Sequence, residues 1–452
     1  MRTLLIKLVT IGSLMLLLMI PLTMIRSTVD ERKHYSEAVA NDIARSASYS
    51  QTVTGPVLVV PFQRTQIIQE FDSNRKMTER TQVIHDALYF LPEHFQLNGQ
   101  LTSELRYRGI YAARLYQADT QITAEYNLPA DYGIRHDLAS YHFDTPYLAL
   151  GINDIRGIRD SFHLQVNNRE YRLEPGSRVK NLGDGVHAQL TGLDSSKAQK
   201  LQLSLPLKLQ GTGQFYVTPT GKNSSVRLQA DWPHPSFTGN FLPIKSDIHE
   251  QGFEAEWQTS LFATNVNETF SNCLRQGECQ ALQSLNFGVS LIDPVNQYVK
   301  THRAMKYALM FVVLIFGGFF LFEVLKSLQI HPIQYGLVGL SLALFYLLLI
   351  SLSEHIAFIT AYIIAATACV AVISTYLAAI LRNLKNTLGF ACGLMLLYIM
   401  LYGLLSSEDF ALLMGSILIF TLLSLFMLLT RHVDWYRFSQ PANPATEEPG
   451  SR

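Results

Sequence analysis

Charge is distributed along this chain in blocks, and the blocks limit the folds open to it. No Asp, Glu, Lys or Arg occurs from Leu8 to Ile25. Residues 26–306 are polar and turn-rich. Five more uncharged runs then follow almost end to end: Tyr307–Phe322, Ile333–Ser353, Ile356–Leu381, Asn386–Ser407 and Phe410–Thr430. About 20 apolar residues cross the hydrocarbon core of a bilayer, and most of these runs reach that length. The first of the five reaches it when Glu323 sits at the interface. The pattern predicts a membrane α-helical bundle of six transmembrane helices, arranged one plus five. A large β-rich domain, a sandwich or curved sheet, is inserted after the first helix.

The expected boundaries follow from the same blocks. They are an anchor at 1–26, a helical stalk at 27–54 and a β-rich domain at 55–292. A helical connector at 293–306, a five-helix bundle at 307–432 and a tail at 433–452 complete the chain. Arg2 and Lys7 precede the first run as they would in a signal peptide. No small-x-small site follows it, because the next residues are Arg26-Ser27-Thr28-Val29-Asp30. The nearest candidate, Ser46-Ala47-Ser48, lies too far downstream, so the run is read as an uncleaved anchor.

Lys and Arg in the short loops set the orientation. With the N-terminus inside, the inner loops hold Lys326, Arg382 and Lys385, and the tail holds Arg431 and Arg437. The outer loops, Ser353-Glu354-His355 and Ser406-Ser407-Glu408-Asp409, hold none. Both termini are therefore expected in the cytoplasm and residues 27–306 outside it. Lys plus Arg and Asp plus Glu both total 36, and this zero balance gives no support for a nucleic-acid partner.

Within the exported block, Val57-Leu58-Val59-Val60 reads as a strand. Thr65–Phe71 and Thr81–Leu91 flank a hairpin turn at Asp72-Ser73-Asn74-Arg75. Further strands are expected near 101–111, 121–126, 161–166, 170–173, 186–190, 200–209, 213–218 and 225–230. Asp293-Pro294 fits a helix start that runs into the second membrane segment.

Several residues are candidates for function. Glu354, His355, Glu408 and Asp409 fall at one membrane face, where Lys300, Arg303 and Lys306 also enter the bundle. Such a patch can bind a cation, relay protons, dock the exported domain, or simply mark helix ends at water. An acid inside a membrane helix is a functional suspect, and Glu323 is one. Its bland reading is a local ion pair with Lys326. Tyr335 and Asp434-Trp435-Tyr436 read as interfacial anchors. Ala357, Ala361, Ala365 and Cys369, and the pair Gly389 and Gly393, are spaced for close helix packing. Cys392, like Cys369, reads as a small packing residue. Cys273 and Cys279 are a disulfide staple, two free thiols or a redox switch.

Enzyme signatures are missing. Gly211-Thr212-Gly213 lacks the third glycine of a dinucleotide loop, and no P-loop occurs. Gly339-Leu340-Ser341-Leu342-Ala343 falls mid-helix, where no nucleophile elbow forms. The exported histidines have no metal-ligand spacing. No catalytic residue, metal or cofactor is therefore expected. The partner expected with most force is the lipid bilayer, with an envelope protein or a lipid as further candidates. The sequence does not name a ligand or an oligomeric state.

A family resemblance adds to this. Asp293-Pro294-Val295, Arg303-Ala304-Met305-Lys306-Tyr307-Ala308 and Phe319-Phe320-Leu321-Phe322-Glu323 resemble the bacterial inner-membrane family CreD. So do the stretch His331 to Gly339, Phe345-Tyr346-Leu347-Leu348-Leu349, Ser351 to His355, Glu408 to Leu413 and Asp434-Trp435-Tyr436. The resemblance covers essentially the whole chain and is more specific in the membrane half. It implies a Gram-negative inner membrane, a periplasmic domain and a role in cell-envelope integrity. It also implies a link to the CreB and CreC two-component system and to tolerance of a nuclease colicin. It brings no biochemical activity and no catalytic residue. A non-enzymatic envelope protein is thus expected, with a transporter or lipid-handling protein as the alternative.

Overall fold

The structure is a computed structural model, which describes residues 2–71, 77–291, 297–325, 330–381, 383–406 and 411–431. The chain divides into two units. One comprises residues 1–37 and 294–452, and the other residues 38–293. Helix α1 (Arg2–Ser46) supplies residues to both.

The second unit is built from strands. In chain order they are β1 (Gln51–Phe71), β2 (Met77–Phe90), β3 (His94–Arg108), β4 (Tyr111–Leu128), β5 (Tyr141–Phe143), β6 (Tyr147–Ile152), β7 (His163–Val166), β8 (Arg169–Arg172) and β9 (Glu174–Pro175). Then come β10 (Gly185–Gln189), β11 (Gln199–Thr212), β12 (Gln214–Thr218), β13 (Asn223–Ala230), β14 (Ser236–Gly239), β15 (Lys245–His249) and β16 (Gly252–Ser260). Three short helices, α2 (Leu261–Thr264), α3 (Val266–Gln276) and α4 (Gln280–Ser284), precede β17 (Phe287–Ser290). The first strand thus begins at Gln51.

The strands form two sheets. The nine-stranded sheet runs β14-β17-β12-β1-β6-β10-β9, with β2 and β5 also paired to β1. The eight-stranded sheet runs β15-β16-β13-β3-β4-β11-β7-β8. One core fills the space between them, with Val53, Leu58 and Val60 from one sheet packed with Leu97, Ile122, Leu205 and Trp257 from the other. The architecture is a sandwich.

The run Val57-Leu58-Val59-Val60 now has a physical reason. Strand neighbours point to opposite faces. Leu58 and Val60 enter the core between the sheets. Val57 and Val59 enter a second core, against Val266, Phe270, Cys273 and Leu282 of α3 and α4. With both faces buried, the strand has no polar alternation.

β1 and β2 pair antiparallel from Leu58↔Phe90 to Phe71↔Met77, flanking the expected hairpin; its turn at 72–75 lies outside the described residues. β3 and β4 form a second long hairpin that outruns the expected strands. Between residues 231 and 292 the sequence offered no elements, yet the structure adds four strands and three helices there.

The other unit holds helices α5 (Gln297–Leu325), α6 (Pro332–Ser353), α7 (Phe358–Leu381), α8 (Leu384–Ser406) and α9 (Ala411–Thr430) beside the apolar part of α1. By length and composition, α1 and α5 to α8 are able to cross a membrane. α9 is also apolar, and its described hydrophobic stretch, Leu413–Leu428, is shorter. Asp293 and Pro294, and the chain after Arg431, lie outside the described residues. Many large apolar side chains are exposed on this unit, including Leu309, Val313, Ile363 and Phe420, as lipid contact requires.

Packing differs from the spacing argument at one pair. Ala361, Ala365 and Cys369 are buried as expected, although Ala357 is exposed. Gly389 and Gly393 instead face outward on α8, and a Cβ built on either meets nothing within 4 Å. The close approach occurs at Gly339 of α6, where a Cβ would run into Leu18 of α1 and Phe316 of α5.

Candidate functional site

Three polar clusters stand out in the helical unit. The first surrounds Glu323, near the end of α5. It is 4% exposed and receives three donors. Lys7 of α1 forms an ion pair with Oε1, and the Ile330 amide donates to the same oxygen over 3.0 Å. The Tyr335 hydroxyl of α6 donates to Oε2 over 2.8 Å. A buried carboxylate persists only when its charge is met in this way.

Two expectations meet the structure here. Glu323 pairs with Lys7, 316 residues away; the expected local pair falls on Lys326, which lies outside the described residues. Tyr335 is fully buried as a ligand of Glu323, so it is not an interfacial anchor. The chain between them is shaped by His331-Pro332. His331 caps α6 by accepting from the Ile333 amide, and Gln334 accepts from the His331 amide. Pro332 fits the first turn because its missing N–H is not needed there.

The second cluster contains Glu354. Its side chain is 10% exposed, and Oε1 lies 3.8 Å from Nε of Arg32 on α1. Also on α1, Asp30 Oδ1 lies 2.9 Å from His302 Nδ1 of α5. Lys300 sits over the Phe358 ring at 5.6 Å, which brings α7 into the group. His355 is exposed. Glu408 and Asp409, the other members of the expected patch, lie outside the described residues. The structure therefore pairs Glu354 with Arg32 of α1, while His302 and Lys300 of α5 meet Asp30 and Phe358. Of Arg32, His302 and Lys300, the sequence reading had placed only Lys300 at that face.

The third cluster lies inside the bundle. The Tyr398 hydroxyl donates to Cys369 Sγ over 3.1 Å, and the Tyr362 hydroxyl donates to the Tyr398 carbonyl over 2.6 Å. Tyr346 is fully buried, and its hydroxyl has no hydrogen-bond partner. Phe311 and Phe345 pack edge-on against the Tyr398 ring. Cys369 thus accepts a hydrogen bond, beyond filling space. Cys392 is exposed.

The β-rich unit carries a fourth, tightly built network where α1 ends. Asp154 accepts from Arg156 Nε at 2.9 Å and Nη2 at 2.6 Å, and from the amides of Arg156 and Tyr49. The Arg156 guanidinium holds the Asp154 carboxyl below its usual range. Arg156 also donates to the Arg45 carbonyl over 2.6 Å. Fully buried Gln51 donates to the carbonyls of Asp154 and Gln210 and to Ser48 Oγ. Ser48 donates to Gln210, and Tyr116 donates to Gln214. Burial drives the Tyr116 hydroxyl pKa far above its usual value, which keeps it a neutral donor. Gly157 leaves the room for this crossing, since a Cβ there would overlap Gln210 and Gln51. The network fastens the end of α1 to the turn after β6 and to β11 and β12. Nothing in the spacing announced it, because its members come from four separated segments.

Cys273 and Cys279 are joined in a disulfide around Gly277, beside α3. Among the described residues, no group of three or more His, Cys, Asp or Glu is placed to hold a metal ion.

Comparisons with known proteins agree with this architecture. The model of the family "Inner membrane protein CreD" matches residues 3–436. Inner membrane protein CreD of Escherichia coli (strain K12) is 37% identical over 443 residues, covering 98% of this chain and 96% of that one. The chain belongs to the CreD family of inner membrane proteins. CreD membership covers both units, so the sandwich and the helices belong to one family architecture. Among solved structures, an M1 zinc metallopeptidase from Deinococcus radiodurans matches at 11% identity and a TM-score of 0.23, over 37% of this chain and 38% of that one. Yeast LTA4 hydrolase with Bestatin matches at 10% identity and 0.19, over 37% and 26%. At these scores the likeness carries no weight for fold or activity.

Proposed function

We propose that this CreD-family protein maintains the integrity of the bacterial cell envelope without acting as an enzyme. In this reading both termini are cytoplasmic and residues 27–306 are periplasmic. The sandwich binds or senses a periplasmic component, and the helices anchor it and transmit its state. The family resemblance links the role to a two-component regulon and to colicin tolerance.

One observation carries most weight. α1 runs unbroken for 45 residues, from an apolar span to a hydrogen-bonded clamp in the sandwich. A domain that needed only tethering would do as well on a flexible linker. A helix fastened at its end is suited to passing on a displacement. The loops lacking Lys and Arg support the orientation. The disulfide supports an oxidising compartment.

The test is complementation of a knockout, read as detergent sensitivity and leakage of a periplasmic enzyme. Wild type should rescue, and a chain lacking residues 55–290 should not. Full rescue by the deleted chain would sink the proposal. Failure of a stable Glu354→Gln/Glu408→Gln variant would shift the active part to the helices.

A further inference from the structure

The eight-stranded sheet turns one face away from the sandwich core, and β13, β3, β4 and β11 form its middle. There the surface is hollowed into an open trough of about 540 Å³. Strands spaced about 4.8 Å apart make it about 14 Å across.

Register aligns its side chains in rows. Asn98 pairs with Gln121 on β4 and Arg227 on β13, while Gln100 pairs with Asp119 and Gln229. Gln96 begins the next row. Five carboxamides, Gln96, Asn98, Gln100, Gln121 and Gln229, therefore line one hollow. A solvated sheet face is commonly polar, but ion pairs would serve that purpose. Gln121 donates to Ser204 over 2.9 Å. Among the described residues, the side chains of Gln96, Asn98, Gln100 and Gln229 have no hydrogen-bond partner within the chain. They offer open donors and acceptors side by side.

Charge narrows the ligand class. Arg227 lies 3.7 Å from Glu254 and 3.5 Å from Glu256, so its charge is already met. Lys208 and Asp119 line the same trough with opposite signs. A polyanion finds no positive field here. A peptide adding as a strand needs a free sheet edge. The trough offers no long one, since β13, β3 and β4 are paired on both sides, and β11 is met on its outer side by β7 at Leu203 and Ser204 and by residues 158 and 159 at Lys208 and Leu209. A carboxamide both donates and accepts, which matches vicinal hydroxyls and the N–H and C=O of an acetamido group.

We propose that this trough binds one side of a glycan strand built from hydroxyl- and acetamido-bearing sugars. The proposal rests on the periplasmic binding role given above and names its ligand. Gln96, Asn98 and Gln100 form the central rail, and Gln121 and Gln229 flank it.

The experiment uses the full chain in detergent and labelled chitohexaose, read by fluorescence anisotropy. Wild type should bind, and Gln96→Ala/Asn98→Ala/Gln100→Ala should bind at least tenfold more weakly with an unchanged unfolding midpoint. Cellohexaose, lacking acetamido groups, should bind more weakly than chitohexaose. No binding by wild type, or equal binding by the triple variant, overturns the site. Binding of an alanine-rich pentapeptide in preference to the sugar overturns the ligand class. The triple variant is also tested in the knockout. If it rescues while the 55–290 deletion does not, the envelope role stands and the trough fails. If the deletion itself rescues, both readings fall.

Discussion

Asp154 and Glu323 are both carboxylates shielded from water, and each is held by one cation and by amide or hydroxyl donors. For Asp154 the guanidinium of Arg156 lowers the pKa from the ordinary 3.8. A lowered folded-state pKa means that its stabilisation is complete above 3.8. It fades as pH falls through that value and the lower folded one. Asp154→Asn is expected to lose about 2 kcal/mol near neutral pH, the worth of hydrogen bonds to a charged group. Its stability should then fall less steeply than wild type below pH 4, as read by chemical denaturation at several pH values. An unchanged acid profile would show that Asp154 is not an acid-sensitive contact. For Glu323 the partner was illegible in the sequence. Lys7 precedes the first apolar run like any flanking cation, and only the fold brings it to α5. Lys7→Met is expected to cost roughly 3–5 kcal/mol, because it strands a buried charge. Lys7→Met with Glu323→Leu should cost less than that single change, as measured by thermal unfolding in detergent.

At the scale of elements, the apolar runs were readable because a membrane span is a one-dimensional signal. The sandwich was half readable. Strands β1 to β4, β7, β8 and β10 to β13 showed through as β-rich stretches between turns. Residues 231–292 did not, because β14 and β17 have only four residues each and three helices interrupt the strands, although the nine alternating residues of β16 carried a signal that went unread. Helix contacts were misread for a related reason. Spacing marks small residues but not which side of the helix finds a neighbour. Gly389 and Gly393 fit the small-xxx-small pattern and meet nothing, while Gly339, which has the same spacing to Ala343, meets Leu18 and Phe316. Gly339→Leu should therefore force α1 away from α6 and lower the unfolding midpoint. Gly389→Leu should leave it nearly unchanged. Equal effects would mean that the α1–α6 approach is not tight. The trough belongs to this scale too. Its carboxamides lie on three strands, and only register gathers them.

For the whole molecule, two units share one chain and one long helix. The functional reading depends on which side of the bilayer the sandwich occupies. A single cysteine settles that in intact cells with a permeabilised outer membrane. Cys369 and Cys392 are first changed to Ala. Gln165→Cys, on β7 of the sandwich, and Asn383→Cys, between α7 and α8, are then exposed to a membrane-impermeant maleimide. Labelling at residue 165 without lysis, and at residue 383 only after lysis, is the expected result. The reverse pattern would place the sandwich in the cytoplasm and contradict a periplasmic binding role.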